Sequence, residues 1–176
     1  VTRHGTTSVL VGNCSIGLAF GNQRTADQDP IVDCFARVDN IPKTVLRKTA
    51  DKAVWRKPKE YLDHLDELPL AANIAPFLPH SMLRIEVMGL QDSISRQPTA
   101  AEPQRMVGIL AEAKDDGYLG MSTDGFPLHF LANAPNTDKR IPTQYATYKE
   151  YKLLTDVLRS RDRVWPVSYT HLRAHE

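Results

Sequence analysis

Short apolar segments alternate with helical segments along this chain, and this alternation limits the possible folds more than any other feature. The apolar segments cover residues 9–11, 71–77 and 118–123, and turn-forming residues follow each of them. No two-residue hairpin signal joins any two of them. Strands that alternate with helices form right-handed βαβ units around a parallel sheet. The sequence therefore predicts an α/β fold in one domain.

Helix start signals support the same order of elements. Each signal is a proline or a capping residue that precedes an apolar stripe of helical period. They stand at Pro58, at Thr99 with its capping-box partner Glu102, and at Thr143 or Thr147. Residues 21–58 contain three prolines and mixed charge, so we expect a long loop there with one short helix over residues 31–37.

Composition excludes several classes of function. The 176 residues are 41% hydrophobic and 24% charged, which is too apolar for a disordered chain. The net charge is only +1, without the basic excess that is typical of a nucleic-acid binder. Proline interrupts the apolar stretch 68–78, which is well short of a membrane span. We therefore expect a small-molecule partner and neither nucleic acid nor membrane. Two cysteines without a signal peptide favour the cytoplasm.

The candidate chemical groups stand where the predicted strands end. Parallel sheets collect chemistry at the carboxyl ends of their strands, and those ends here carry Cys14, His80, and the pair Ser122 and Thr123. Cys14 has three possible roles: a buried structural cysteine, a zinc ligand, or a nucleophile with a histidine base. His80 could lie close enough to be a metal ligand or the histidine base, or it is a polar histidine that supports other residues or caps a helix.

The two ends of the chain suggest a segment of a longer protein. It begins without Met and reaches its first strand at once. The last ten residues, VSYTHLRAHE, have neither helical nor strand period and look like one reading frame of a sequencing adapter. We therefore expect residues 167–176 to be a non-native tail, and we exclude His171 and His175 as metal ligands despite their i,i+4 spacing.

Four stretches resemble the N-acyl-D-amino-acid deacylase (D-aminoacylase) branch of the metal-dependent amidohydrolase superfamily. They are HGTTSVLVGNC at 4–14, PKEYLDHLDE at 58–67, PHSMLRIEVMG at 79–89 and DDGYLGMSTDGFPLHFLAN at 115–133. The resemblance covers residues 1–165. It implies an incomplete (β/α)8 barrel of the metallo-dependent hydrolase type over residues 1–166, roughly strands two to four with their helices.

The resemblance also implies an activity, a cofactor and a set of site residues. The family hydrolyses N-acyl-D-amino acids to a carboxylate and a free D-amino acid, with one or two zinc ions in the intact enzyme. Its cysteine after the first of these strands is a metal ligand, which here is Cys14. The remaining metal ligands and the catalytic aspartate are expected outside this chain. His80, Ser122 and Thr123 are then candidate substrate-binding residues. Ser15 is a departure, because glycine commonly follows this cysteine in the family.

Two alternatives stay open from the sequence. The first is an α/β domain that binds a nucleotide or another small ligand without metal, through the glycine-studded turn after the first strand. Gly12, Gly17 and Gly21 mark that turn, although they match neither the dinucleotide fingerprint nor the P-loop. The second is a catalytically dead family member.

Overall fold

A computed structural model describes residues 2–21, 23–25, 28–160 and 162–168. Helices and short strands alternate along the chain, with two 3-10 turns at Thr2–His4 and Pro142–Tyr145. In chain order the elements are β1 (Ser8–Val11), α1 (Pro30–Val38), α2 (Lys43–Ala50), α3 (Pro58–Asp66), β2 (Asn73–Pro76), β3 (Leu78–Pro79), α4 (His80–Met88), α5 (Leu90–Ser95), α6 (Glu102–Asp116), β4 (Met121–Asp124), α7 (Tyr148–Arg159) and β5 (Val167–Ser168).

All the strand pairings between these elements are parallel, as the sequence predicts. β1 pairs with β2, with Ser8 opposite Asn73, and β3 pairs with β4, which in turn pairs with β5. Phe77 alone separates β2 from β3, so residues 73–79 lie between β1 on one side and β4 on the other. The carboxyl ends of these strands therefore lie at the same edge. Within the described residues the strands form an open parallel arrangement, and closure into a barrel stays an expectation.

Local chemistry explains where three of the helices begin. Pro58 occupies the first turn of α3, and the Glu60 carboxylate accepts the backbone N–H of Arg56 at 2.7 Å. Glu102 at the start of α6 accepts the backbone N–H of Thr99 at 2.6 Å, which is one half of the predicted capping box. Thr147 caps α7 by accepting the N–H of Glu150 at 3.3 Å. These three predicted helices are confirmed.

The sequence missed three helices. Residues 21–58 were expected to form a long loop with one short helix; α1 confirms that helix, and the expectation of a loop in the rest is wrong because α2 also forms there. α4 was not predicted because nearly every residue from His80 to Met88 is buried, so the segment shows no polar face. The short helix α5 follows α4 directly. A helix buried on all sides lacks the amphipathic period by which sequence patterns reveal helices.

The core lies between the strands and helices α4, α6 and α7. Wholly buried residues from each contribute to it: Leu78, Met82, Leu83, Met106, Leu110, Met121 and Leu154. No helix in the described part of the chain is long and apolar enough to cross a membrane. Val167 and Ser168, the first two residues of the expected tail, pair with β4, and residues 169–176 lie outside the described residues. The tail therefore stays a prediction.

Candidate functional site

The loop after β1 meets the end of β4. Ser122 is buried at this end of β4, and its hydroxyl donates a hydrogen bond to the backbone carbonyl of Gly12. Gly12 itself has φ of +82°, and a Cβ there would lie 2.6 Å from the Phe77 carbonyl oxygen, so a glycine is required. The structure thus brings the first and third predicted strand ends together, as the sequence suggested.

Cys14 lies in this loop in a left-handed backbone conformation. Its φ is +56° and that of Ser15 is +62°, so two successive residues with a Cβ occupy a region that glycine favours. Cys14 is partly exposed and lines a cavity of about 360 Å³. Polar neighbours in this cavity are Asn13 and Asp39, and burial raises the pKa of the Asp39 carboxyl against an opposing effect of His129.

Cys34 differs from Cys14 in every respect that matters for ligation. It lies inside α1 with no exposed surface, and burial raises the pKa of its thiol, which disfavours the thiolate. The two cysteines form no disulfide. Of the two, Cys14 alone lies where a thiolate could reach a solvent-accessible ion.

Ser15 is held by Ser81, the second residue of α4. The Ser81 N–H donates to the Ser15 carbonyl oxygen at 3.0 Å, and the two hydroxyls are 2.8 Å apart. Both side chains are completely buried. The departure from glycine at position 15 is therefore accompanied by a two-point contact that the sequence pattern did not reveal.

His80 lies in a buried hydrogen-bonded network rather than at an open position. Its Nδ1 is 2.9 Å from Thr143 Oγ1 and its Nε2 is 2.9 Å from Glu150 Oε1, and the ring has no exposed surface. Arg84 donates to the other carboxylate oxygen of Glu150 and, at 3.1 Å, to the Ser93 carbonyl. The proposed substrate contact of His80 stays a prediction. In the described chain both of its nitrogens serve protein groups.

Burial and charge set the protonation of this network. Burial lowers the pKa of His80 and outweighs the opposing effect of Glu150, so the ring is neutral near pH 7. Burial raises the pKa of Glu150, but contacts with His80 and Arg84 outweigh it and leave that pKa below its usual value. The neutral tautomer that satisfies both contacts donates from Nε2 to Glu150 and accepts at Nδ1 from the Thr143 hydroxyl.

Thr123 and its neighbour Asp124 also have partners inside the protein. Thr123 Oγ1 accepts the Trp165 indole N–H at 3.0 Å. Asp124, which is buried, accepts the backbone N–H of Phe126 at 2.9 Å and contacts His129 Nδ1 through its other oxygen. Sequence reasoning missed this Asp–His pair, for which the only signal was an aspartate at a strand end five residues before a histidine. Substrate binding by Ser122 and Thr123 stays a prediction.

The glycine-studded turn after β1 was the alternative ligand site that the sequence offered. The glycines after β1 serve close packing, because a Cβ at Gly17 would lie 2.7 Å from the Pro79 ring and one at Gly21 would lie 2.8 Å from Ala53. They thus give no support to a phosphate-binding turn.

Among residues 2–21, 23–25, 28–160 and 162–168, no three His, Cys, Asp or Glu side chains are grouped to hold a metal ion. Cys14 fits one ligand position, and the described residues do not supply a complete set.

Comparison with known proteins shows which proteins this chain is similar to. No protein-family profile matches it. It is 37% identical over 165 residues to an uncharacterized protein of Mycobacterium tuberculosis. That alignment covers 92% of this chain and 26% of the mycobacterial protein. It is 34% identical over 137 residues to the N-acyl-D-aspartate deacylase of Alcaligenes xylosoxydans xylosoxydans, covering 78% of this chain and 24% of that enzyme.

Solved structures of deacylases have a similar fold. The N-acyl-D-glutamate deacylase of Bordetella bronchiseptica, complexed with zinc and a phosphonate inhibitor, superposes with a TM-score of 0.64 at 24% identity over 94% of this chain and 28% of that one. A D-aminoacylase described as defining a subset of amidohydrolases gives 0.63 at 23% identity, over 98% and 31% of the two chains. At these identities the likeness concerns the fold.

The chain therefore has the fold of a segment of an amidohydrolase. More narrowly, its sequence is similar to an N-acyl-D-aspartate deacylase and its fold to an N-acyl-D-glutamate deacylase and a D-aminoacylase, which confirms the predicted resemblance. It spans about a quarter of the length of the curated relatives it matches.

Proposed function

We propose that this chain is part of a zinc-dependent hydrolase that cleaves the amide bond of N-acyl-D-amino acids. The observation that carries the proposal is the position of Cys14: partly exposed, at the carboxyl end of a parallel strand, and lining a cavity. Support comes from the relatives, one of which is an N-acyl-D-aspartate deacylase and another a deacylase complexed with zinc.

The residues of this chain have limited and specific tasks in that reaction. Cys14 would be one metal ligand, because thiolate sulfur suits a borderline-soft ion such as zinc. When bound, zinc supplies Lewis acidity toward an amide carbonyl and toward water. Ser122 and Gly12 hold the Cys14 loop against the end of β4. The buried network of His80, Glu150 and Arg84 keeps the surrounding helices in place.

The relatives support this substrate class, and the intact protein that contains this chain is the one to test. We expect it to contain zinc and to hydrolyse an N-acyl-D-amino acid in preference to its L enantiomer. Replacing Cys14 with Ala should lower zinc content and reduce turnover by orders of magnitude, because a zinc site that loses one ligand binds the ion weakly.

Cys34→Ala is the matched control. It changes the same residue type in a wholly buried position, so it should lower stability while zinc content and turnover persist. Full activity and unchanged zinc in the Cys14→Ala variant would refute the proposal.

A further inference from the structure

The Cys14 loop has a backbone conformation that the loop's own residues do not favour. Cys14 and Ser15 both have positive φ, at +56° and +62°, although each has a side chain. Left-handed conformations bring Cβ close to the following carbonyl oxygen, and L residues occupy them in succession only when surrounding contacts impose them. Within the loop, the Ile16 N–H donates to the Asn13 carbonyl at 3.3 Å and closes a turn around these two residues, and a contact from outside the loop adds to it.

Ser81 is that contact. It binds Ser15 at two points: its N–H donates to the Ser15 carbonyl at 3.0 Å, and its hydroxyl lies 2.8 Å from the Ser15 hydroxyl. The carbonyl and hydroxyl of one residue are thus fixed relative to one partner. Two bonds to a single residue restrict rotation of Ser15 more than one bond would, and Cys14 precedes it directly.

Ser81 is itself firmly placed. Its Oγ accepts the Thr143 N–H at 3.1 Å, and it lies in the first turn of α4 next to His80. His80 is bonded on one side to Thr143 and on the other to Glu150, all within the buried interior. Ser15 is therefore anchored, through Ser81, to this buried hydrogen-bonded network. At the other end of the loop, Ser122 fixes the Gly12 carbonyl.

We propose that Ser81 is a positioning residue for Cys14: through Ser15 it imposes the left-handed backbone that places the Cys14 thiol at the carboxyl end of the sheet. The proposal rests on the proposed function in one respect, namely that Cys14 binds zinc. Its geometric part, that Ser81 holds the loop, is measured separately.

The test compares Ser81→Ala, Ser15→Ala and the double variant in the intact protein. Zinc affinity is measured by competition with a chelator, and backbone hydrogen exchange of residues 12–15 is measured in the zinc-free protein. We expect each single variant to bind zinc about tenfold more weakly, as is typical when a group that orients a metal ligand is removed. Exchange in the loop should rise in both, and turnover should recover when zinc is in excess.

The double variant should be little worse than either single one, since both changes remove the same hydroxyl contact. Ser15→Ala also keeps the test open if Ser81→Ala does not fold. The control is Ser93→Ala, which removes a buried serine hydroxyl bonded at 2.7 Å to the Leu90 carbonyl, away from the loop. It should lower stability without changing zinc affinity or loop exchange.

The outcomes separate this proposal from the proposed function. If Cys14→Ala abolishes zinc binding while Ser81→Ala and Ser15→Ala leave affinity and loop exchange unchanged, the positioning role is overturned and the proposed function stands. If Cys14→Ala leaves zinc binding unchanged, both are overturned. Additive losses in the double variant would also contradict the proposal, because they would mean that the two serines act independently.

Discussion

Cys14 and His80 both follow a parallel strand at the same edge of the sheet, yet the protein surrounds them differently. Cys14 is partly exposed and lines a cavity. His80 has no exposed surface and both ring nitrogens are bonded to protein groups. A place at a strand end therefore does not by itself leave a side chain accessible. The partners available inside the protein decide how much of it stays exposed.

The two regions also differ in what holds them. The network around His80 depends on charge, because the buried Glu150 carboxylate contacts Arg84 as well as the ring. The Cys14 loop depends on neutral hydrogen bonds from Ser81 and Ser122 to its backbone. Loss of a charge should therefore damage the first region more than loss of a hydroxyl damages the second.

The largest loss of stability should follow Glu150→Gln. This change leaves the Arg84 guanidinium buried without its counter-charge, and breaking a buried pair in this way typically costs about 3–5 kcal/mol. Chemical unfolding of the intact protein measures the loss. Asp156→Asn is the matched control, since it makes the same change in exposed pairs with Lys152 and Arg159 and should cost at most about 1 kcal/mol. Equal losses in the two variants would contradict the structural role of the network.

A smaller loss should follow Gly12→Ala at the Cys14 loop. The added Cβ would lie 2.6 Å from the Phe77 carbonyl oxygen and the residue would keep a positive φ, for which we expect about 1–3 kcal/mol together with weaker zinc binding. Gly89→Ala separates the two causes, because Gly89 has φ of +81° but no atom within 4 Å of a Cβ. Unfolding and zinc titration of both variants should show the larger effects at Gly12. Equal losses of zinc affinity in the two variants would show that the backbone at Gly12 has no particular role in zinc binding.

Much of the comparison could be predicted from sequence, and part of it could not. The strand that ends before Gly12, the Glu102 half of the capping box and the Thr147 cap are local patterns, and the structure confirms them. The contacts of Ser15 with Ser81 and of His80 with Glu150 join residues 66 and 70 positions apart. No local periodicity encodes such partners, which is why the sequence placed His80 at a strand end without revealing its buried contacts.

The smallest effect should be a pH dependence of stability. Burial holds the folded-state pKa of His80 below its ordinary value of 6.5, so the unfolded chain takes up the proton first as pH falls. The stability that neutral His80 provides is complete above pH 6.5 and decreases below it, by at most about 1.4 kcal/mol per pH unit for one proton. Glu150 adds a loss in the same direction, but only below about pH 4.5.

Unfolding measured between pH 7 and 5 in the wild type and in His80→Asn tests this. The variant should be less stable at pH 7 and should lose less stability on acidification, because it has one titrating group fewer. Asp156→Asn is the control, because its contact with Lys152 lowers the pKa of that carboxyl and keeps its titration below this range, so the variant should keep the wild-type slope. A wild-type slope in His80→Asn would mean that His80 does not titrate in this range.

The central claim is that Cys14, and not His80 or Cys34, is the metal ligand that this chain supplies. X-ray absorption at the zinc edge of the intact, zinc-loaded protein tests it directly, because a thiolate ligand gives a sulfur scatterer at about 2.3 Å. We predict one such sulfur in the wild type, its loss in Cys14→Ala, and its retention in Cys34→Ala and His80→Asn. A sulfur shell that persists in Cys14→Ala, or is absent from the wild type, would refute zinc binding by Cys14.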